Sequence, residues 1–213
     1  MAAWFDWTVR EFLERAASDA PTPGGGCAAA LAGALGASMV CMVAALTRKK
    51  IPAGEERAGI EQILARGREL IAAFEHLGGE DMAAFEALIQ AFRLPRGNEE
   101  EKCRRAEAVQ EAVKRATIVP LEIARQSLAT LELSLQVARV GSRNALSDAG
   151  VAAQLAAAAL EAALLNVDIN TPFLADAAFR DEMHEERDRL RRLRADLQAE
   201  VVRVIAGRLQ EER

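Results

Sequence analysis

A run of three glycines stands directly before a long apolar segment, and this junction is the first place where the chain could bind a ligand. The residues PTPGGG (Pro21–Gly26) precede the uncharged stretch Cys27–Leu46. A helix that begins here has first N–H groups without intrahelical partners, and these attract anions and polarised oxygens. Glycine has no Cβ, so a ligand could reach this backbone closely. A flexible connector between helices explains the pattern equally well. The candidate binding residues are Pro23, Gly24, Gly25 and Gly26.

Two carboxylates lie where they could transfer protons or stabilise a positive charge. Asp81 follows the residues GGE and precedes an apolar run, and Asp148 falls in the first turn of a predicted helix. Asp148 lies near the positive end of that helix, where a carboxylate is ordinarily stabilised. These carboxylates and the amides described below could converge on the glycine-lined start of the second helix. Solvated carboxylates near helix starts would give the same pattern.

Polar side chains in apolar surroundings form a third group of candidates. The block GSRNALSDAG (Gly141–Gly150) separates two predicted helices. Ser147 is expected to cap the second of them, an explanation that leaves Asn144 without a role. Asn166 and Asn170 lie late in an apolar segment. A buried amide needs hydrogen-bond partners, so these two indicate either a network between helices or a ligand.

The cysteines and histidines predict neither a disulfide framework nor a metal site. The three cysteines, an odd number, match no zinc or redox spacing, and the two histidines lack further ligands at metal spacing. Free thiols are typical of a reducing compartment, and the charged N-terminus lacks the apolar core of a signal peptide. A cytoplasmic protein without a metal is therefore expected. The residues concerned are Cys27, Cys41, Cys103, His76 and His184.

The composition favours an all-α protein. The chain has 213 residues, no tyrosine and only 4% aromatic residues. This length suits one domain over residues 1–213. The net charge of −5, with both signs interspersed, argues against nucleic acid as a partner. Cys27–Leu46 is long enough to cross a membrane, but alanine and glycine contribute little transfer energy into lipid. A buried helix in a bundle, with no membrane partner, is the prediction.

Six helices are expected from the periodicity and the capping signals. They begin near Thr8, Cys27, Gly54, Glu99, Ser147 and Ala175. Two glycines in HLGGED predict a kink or an interruption of the third helix, and Pro120 predicts a bend in the fourth. Cys27–Leu46 and Val151–Leu165 are apolar on all sides, so they belong at the centre of a bundle of long antiparallel helices. One copy would not cover them completely, which predicts a homodimer.

Several blocks, in the same order along the chain, resemble the cyclodeaminase/cyclohydrolase family of folate enzymes. This family includes the cyclodeaminase domain of formiminotransferase-cyclodeaminase and stand-alone methenyltetrahydrofolate cyclohydrolases. The blocks are Pro21–Lys50, Glu80–Pro95, Glu99–Ala124, Asn144–Asn170 and Phe173–Phe179. The resemblance implies an all-helical dimer that binds a folate near the glycine loop, with a rigid alanine-rich helix behind it.

The resemblance also implies roles for the candidate residues. Asp81 and Asp148 would be catalytic, and both would lie beside the glycine loop. Asp148, in the first turn of its helix, would stay ionised and stabilise the cationic methenyl group, whereas Asp81, before an apolar run, is the better candidate for proton transfer. The folate would be bound by Pro23, Gly24, Gly25, Gly26, Asn144 and Ser147, and its glutamate tail by Lys49 and Lys50. To these we add Asn166, whose amide lies in an apolar segment, as a folate-binding residue, and Arg96, because clustered positive charge attracts the carboxylates of the tail. The chain departs from the family at Cys27, where serine is frequent, and near Phe85, where tyrosine is frequent. A hydroxyl-dependent role at these two positions is therefore not expected here.

The implied chemistry is proton transfer around a bridging carbon. In cyclodeamination, N10 attacks the formimino carbon and ammonia leaves; in cyclohydrolysis, water attacks the methenyl carbon and the ring opens to the 10-formyl form. Both reactions need general acid–base catalysis, and neither needs a metal or a redox cofactor. The alternative is a non-enzymatic helical scaffold, because the last helix places Leu190, Leu193 and Leu197 at coiled-coil spacing.

Overall fold

The computed structural model describes residues 4–210, and all regular structure within that range is helical. The α-helices are α1 (Val9–Ala16), α2 (Gly25–Arg48), α3 (Glu55–Arg93), α4 (Glu99–Val140), α5 (Leu146–Asn170) and α6 (Ala177–Gln210). Short 3₁₀ turns at Trp4–Asp6, Arg143–Ala145 and Thr171–Phe173 complete the helical segments. The all-α prediction is confirmed, whereas the assignment of residues 1–213 to one domain stays a prediction.

Side chains at their first residues explain where two of the helices begin. Thr8 and Glu11 form a capping box at the start of α1: the Thr8 N–H donates to Glu11 Oε2 at 2.7 Å, and the Glu11 N–H donates to Thr8 Oγ1 at 3.1 Å. Asn98 caps α4 through the Glu101 N–H, at 2.9 Å. In contrast, α2 begins after Gly24, which has no side chain to cap it. Its first N–H groups therefore remain available.

Small residues let α2 approach its neighbours closely. A Cβ on Gly36 would lie 3.2 Å from the carbonyl oxygen of Ala152 and 3.3 Å from the backbone nitrogen of Ala156, both in α5. A Cβ on Gly33 would lie 2.5 Å from the ring of Phe74 in α3. Such spacing is tighter than ordinary van der Waals contact, so only glycine fits without displacing a neighbour. The alanine-rich composition of α2 and α5 is thus a packing requirement.

The helices α2 and α5 run antiparallel. Gly25, at the start of α2, packs against the side chain of Asn166 near the end of α5. At the other end, Lys50 Nζ donates to Ser142 Oγ, just before α5, at 2.8 Å. The two helices lie in the core, as predicted, but each keeps one face exposed. The exposed large side chains on these faces are Leu35, Leu46, Val151, Leu165 and Ile169.

The structure contradicts two local predictions, an interruption of α3 and a cap at Ser147. The HLGGED segment does not interrupt α3, which continues from Glu55 to Arg93, and a kink there stays a prediction. The indole of Trp4 lies where a Cβ of Gly78 would stand, so the glycine there makes room for the tryptophan. Ser147 does not cap α5 either, because that helix begins at Leu146 and has Ala145 at its N-cap position. The helix α4 continues through Pro120.

Two helical segments have the length and apolar composition of a membrane span. They are Gly25–Arg48 and Arg143–Phe173, and in each the most apolar window is half buried against other helices. The core helix of a bundle has the same length and composition. The absence of a membrane partner therefore stays a prediction.

We expect Gly78→Ala to destabilise the protein by about 1–3 kcal/mol, because the new methyl group would overlap the Trp4 ring. The matched control is Gly59→Ala in the same helix, where a Cβ meets nothing within 4 Å. That change should instead stabilise by about 0.5–1 kcal/mol through helix propensity. Thermal unfolding of the two variants measures the difference, and equal effects would contradict this account of Gly78.

Candidate active site

A cleft opens where the start of α2 meets the middle of α3, the middle of α4 and the end of α5. Its volume is ≈ 140 Å³. The lining residues are Pro21, Thr22, Gly24, Gly25, Gly26, Asp81, Phe85, Ala116, Pro120, Asn166, Ile169 and Asn170. The cleft thus joins the glycine loop to a carboxylate, two amides and apolar side chains. A polar group enclosed by a few apolar walls is the usual composition of a binding site.

Asp81 lies directly over the first turn of α2. A Cβ on Gly26 would overlap its carboxylate, so glycine is required at that position. Burial raises the pKa of Asp81 to about 6, while the backbone N–H of Cys27, which donates to the carboxylate, lowers it in part. Asp81 therefore titrates near neutrality, in the range that general acid–base catalysis uses.

The start of α2 supplies hydrogen-bond donors opposite the carboxylate. Because Gly24 has no capping side chain, the N–H groups of Gly25 and Gly26 lack partners within the helix. The next N–H, of Cys27, is taken by Asp81. The two remaining N–H groups and the helix dipole could stabilise an oxygen that develops negative charge beside Asp81.

Cys27 is a buried, neutral thiol. It packs in a small apolar cluster with Trp4 and Phe12. Burial, and secondarily the negative charge of Asp81, raise the pKa of the Cys27 thiol to about 12. A thiol with this pKa stays protonated at physiological pH and is not a nucleophile. Cys27 acts at the site through its backbone N–H, which a serine would supply equally.

The amides of Asn166 and Asn170 face the cleft one helical turn apart on α5. Asn166 Nδ2 donates to the carbonyl oxygen of Ala162 at 2.9 Å, and Asn170 Nδ2 donates to the carbonyl oxygen of Ala116 at 2.7 Å. No group within residues 4–210 donates to either Oδ1. The two oxygens are therefore available to accept hydrogen bonds from a ligand.

The structure separates the predicted site residues into two groups. The glycine loop, Asp81 and Asn166 meet at the cleft, and Pro23 is buried next to it. The other group lies at the opposite end of α2, which spans about 36 Å at 1.5 Å per residue over 24 residues. This second group consists of Lys49, Lys50, Asn144, Ser147 and Asp148.

The expectation that Asp148 lies beside the glycine loop is therefore wrong within one chain. The reason is the antiparallel arrangement of α2 and α5, which places the end of α5, and not its start, against the loop. Arg96 lies in the α3–α4 loop, more than about 18 Å along α3 from Asp81 at 1.5 Å per residue. The binding or catalytic roles of all these residues stay predictions.

Three further cleft residues, Phe85, Asn170 and Pro120, were not among the predicted site residues, although the sequence carried signals for them. Phe85 follows Asp81 by four residues and so lies on the same face of α3. Asn170 follows Asn166 by the same interval. Pro120, in the middle of a long helix, lines the cleft and removes one backbone donor there. Among residues 4–210 no group of three or more His, Cys, Asp or Glu side chains could hold a metal ion.

An ion pair joins α3 to α4 beside the cleft. Arg115 donates to the carboxylate of Glu80, the residue before Asp81, while Ala116 lines the cleft. Both partners are partly exposed, so the pair contributes little to stability by itself. Its position indicates a role in holding the spacing between the two helices.

Comparison with known proteins places the chain among folate enzymes. The family model described as formiminotransferase-cyclodeaminase matches residues 8–189. A methenyltetrahydrofolate cyclohydrolase of Methylorubrum extorquens is 43% identical over 183 residues, which cover 86% of this chain and 88% of that protein. The formimidoyltransferase-cyclodeaminase of Mus musculus is 32% identical over 180 residues, which cover 84% of this chain and 33% of that protein. The chain therefore corresponds to about a third of the longer relative.

A solved structure has the same fold. The formiminotetrahydrofolate cyclodeaminase of Thermotoga maritima superimposes with a TM-score of 0.86 and 28% sequence identity, over 96% of this chain and 98% of that chain. The arrangement of the six helices is thus shared along nearly the whole length.

The raised pKa of Asp81 predicts a pH-dependent cost to stability. Between about pH 4 and pH 6 the folded protein holds a proton on Asp81 that the unfolded chain has lost, so the unfolding free energy falls as pH rises through this window. Asp81→Asn stays neutral and should raise the unfolding free energy by about 1–3 kcal/mol above pH 6, with little gain at pH 4. Denaturant unfolding at both pH values tests this, with the exposed Asp196→Asn as control. An equal gain at both pH values would contradict the assignment.

Proposed function

The chain belongs to the formiminotransferase-cyclodeaminase family and is an enzyme of that type, and we propose that it is a methenyltetrahydrofolate cyclohydrolase. The observation that carries this proposal is Asp81, a partly buried carboxyl group with a pKa of about 6, set against the free N–H groups of α2. The Methylorubrum extorquens relative, which this chain matches over most of both lengths, is named for that activity. The second candidate is formiminotetrahydrofolate cyclodeamination, which the shared fold with the Thermotoga maritima enzyme supports.

In the proposed reaction, Asp81 acts as general base and then as general acid. The carboxylate takes a proton from water as the water oxygen bonds to the cationic methenyl carbon. The protonated Asp81 then gives the proton to N5 as the bond between that carbon and N5 breaks. The hydroxyl group on the carbon loses its own proton to solvent as the carbonyl forms, which leaves the formyl group on N10. Overall the reaction consumes one water and releases one proton to solvent. The N–H groups of Gly25 and Gly26 would stabilise the incoming oxygen.

Cyclodeamination would use the same groups in a different order. With the formimino group protonated, Asp81 would take the proton from N10 as N10 bonds to the formimino carbon. It would then give that proton to the departing NH₂ group, which leaves as ammonia and leaves the methenyl cation. Neither route is proposed to need a metal or a redox cofactor. The three free cysteines agree with action in a reducing compartment, and we propose the cytoplasm.

One spectrophotometric assay tests the function and the role of Asp81 together. Methenyltetrahydrofolate absorbance should fall when the protein acts as a cyclohydrolase and should rise from formiminotetrahydrofolate when it acts as a cyclodeaminase. Asp81→Asn should lower kcat by roughly two to four orders of magnitude while substrate binding persists. For the wild type, kcat/KM should fall below about pH 6, where the base becomes protonated.

The control for this assay is Asp196→Asn, an exposed carboxylate on α6 that should keep wild-type rates. A near-wild-type kcat for Asp81→Asn would show that another group transfers the proton. If neither substrate is converted by the wild type, the proposed function is wrong, and the non-enzymatic scaffold becomes the better explanation.

We also propose that the enzyme acts as a homodimer through the open face of α2 and α5. Exposed or half-buried apolar residues recur on this face every three or four residues, which is the spacing of a helix-packing stripe. Leu165 and Ile169, beside the cleft, are 64% and 65% exposed. A second copy of the same face would bury them, since a self-complementary contact is the usual basis of a dimer.

A two-fold axis perpendicular to α2 would also bring the two groups of site residues together. It would place the start of α5 in one copy beside the glycine loop of the other, so Asp148 would face Asp81 across the interface. Lys49 and Lys50 would then be positioned to meet the glutamate tail of the folate. The cleft of one chain, at ≈ 140 Å³, is smaller than the roughly 300–1,000 Å³ of typical ligand sites, which supports a site completed by a partner.

Mixing two inactive variants tests this arrangement. Asp81→Asn and Asp148→Asn should each be inactive alone, but co-expression should restore about a quarter of wild-type activity, because half of the dimers are mixed and each mixed dimer has one intact site. Light scattering should give twice the chain mass of 23.0 kDa. A monomer at micromolar concentration would contradict the dimer. A dimer without recovery of activity would contradict only the shared site.

A further inference from the structure

Pro120 leaves one carbonyl of α4 without its helical partner. In an α-helix each backbone N–H donates to the carbonyl four residues earlier, and proline has no N–H. The carbonyl deprived in this way is that of Ala116. Both residues are buried and both line the cleft. A buried carbonyl without a donor costs free energy, so this group requires a partner from elsewhere in the fold.

Asn170 of α5 supplies that partner. Its Nδ2 donates to the Ala116 carbonyl oxygen at 2.7 Å, across 54 residues of sequence. Because a carbonyl only accepts hydrogen bonds, this contact fixes which end of the amide faces α4. The NH₂ group is held by the backbone, and the side-chain oxygen is left on the other end. No group within residues 4–210 donates to that oxygen.

Asn166 is oriented by an independent contact of the same kind. Its Nδ2 donates to the carbonyl oxygen of Ala162, one turn earlier in α5, at 2.9 Å. The amide lies 3.4 Å from the position of a Cβ on Gly25 and so packs on the glycine loop. Two consecutive turns of α5 therefore present amide oxygens to the cleft, and the Asp81 carboxylate adds further acceptors. These hydrogen-bond acceptors form one wall of the cleft, and a ligand that complements this wall carries N–H donors.

Resting on the proposed function, we infer that Asn170 is a substrate-positioning residue that accepts a hydrogen bond from the N–H-bearing edge of the reduced pterin ring. The ring system of a tetrahydrofolate carries an amino group and ring N–H groups, which are the donors that this wall lacks. Pro120 contributes indirectly, because the carbonyl it leaves unpaired holds the Asn170 amide in the binding orientation. The NH₂ group of the Asn170 side chain thus satisfies the carbonyl of α4, and the oxygen at its other end accepts the hydrogen bond from the ligand.

If Asn170 were only structural, it would satisfy the Ala116 carbonyl and would not contact the ligand. Testing Asn170→Ala both in the wild-type protein and in the Pro120→Ala variant separates the structural role from the binding role. With Pro120 present, Asn170→Ala removes both the donor for the carbonyl and the acceptor for the ligand. With Pro120→Ala, the backbone N–H of residue 120 can donate to the Ala116 carbonyl, so the same Asn170→Ala change removes only the acceptor. In the Pro120→Ala background, the Asn170→Ala variant can also fold without leaving a buried carbonyl unpaired.

The measurements are Tm, kcat and KM with methenyltetrahydrofolate, and Kd with tetrahydrofolate by calorimetry. Asn170→Ala should lower Tm in the Pro120 background and leave it nearly unchanged in the Pro120→Ala background. In both backgrounds it should raise KM and Kd about tenfold relative to its own parent, the size expected for one lost hydrogen bond. The control is Asn98→Ala, which removes the α4 cap and should lower Tm without changing KM.

The results distinguish three outcomes. Persistence of the KM and Kd effects in the Pro120→Ala background establishes Asn170 as a positioning residue. Equal KM and Kd for Pro120→Ala and the double variant would overturn this inference, because restoring the helix bond would then have restored the site. Failure of the wild type to bind tetrahydrofolate at all would overturn the proposed function and this inference with it.

Discussion

The close antiparallel contact between α2 and α5 is the constraint on which the rest of the structure depends. Gly36 allows the backbones to meet at Ala152 and Ala156, and larger residues there would push the helices apart. Once the two helices are antiparallel and in this register, Gly25 must lie by Asn166, and Lys50 must lie by Ser142. The contact thereby decides which residues share the cleft and which lie about 36 Å away.

The cleft combines groups that would be unfavourable separately. A carboxylate moved out of water and a helix start without a capping side chain each leave polar groups unsatisfied. Here Asp81 lies over Gly26 and accepts a hydrogen bond from the Cys27 N–H. The carboxylate and the uncapped start of α2 therefore partly satisfy each other. The remaining burial keeps the Asp81 pKa near 6, which is where a group can both take and return a proton.

Ion pairs on the opposite face of α5 hold the amides in place. Asp168, between Asn166 and Asn170 in sequence, accepts from Arg187 and Arg191 of α6, each at 2.7 Å. Residues two positions apart on a helix point in different directions, so the ion pairs of Asp168 with α6 leave the two amides facing the cleft. The charged last helix, whose leucine spacing resembles a coiled coil, therefore packs within the bundle and supports the wall of the site.

The sequence by itself determined the helices, because their causes are local. The capping box at Thr8 and the uninterrupted apolar run after the glycines act over a few residues and can be read directly. The functional family was also recoverable, since its glycine loop keeps a fixed local pattern. Only the tertiary structure decided that the glycines at HLGGED accommodate Trp4, that Asp81 is buried over Gly26, and that Asp148 lies at the far end of the chain's bundle. These depend on which helix faces which and in what direction, and helix periodicity specifies an apolar face without specifying the surface that covers it.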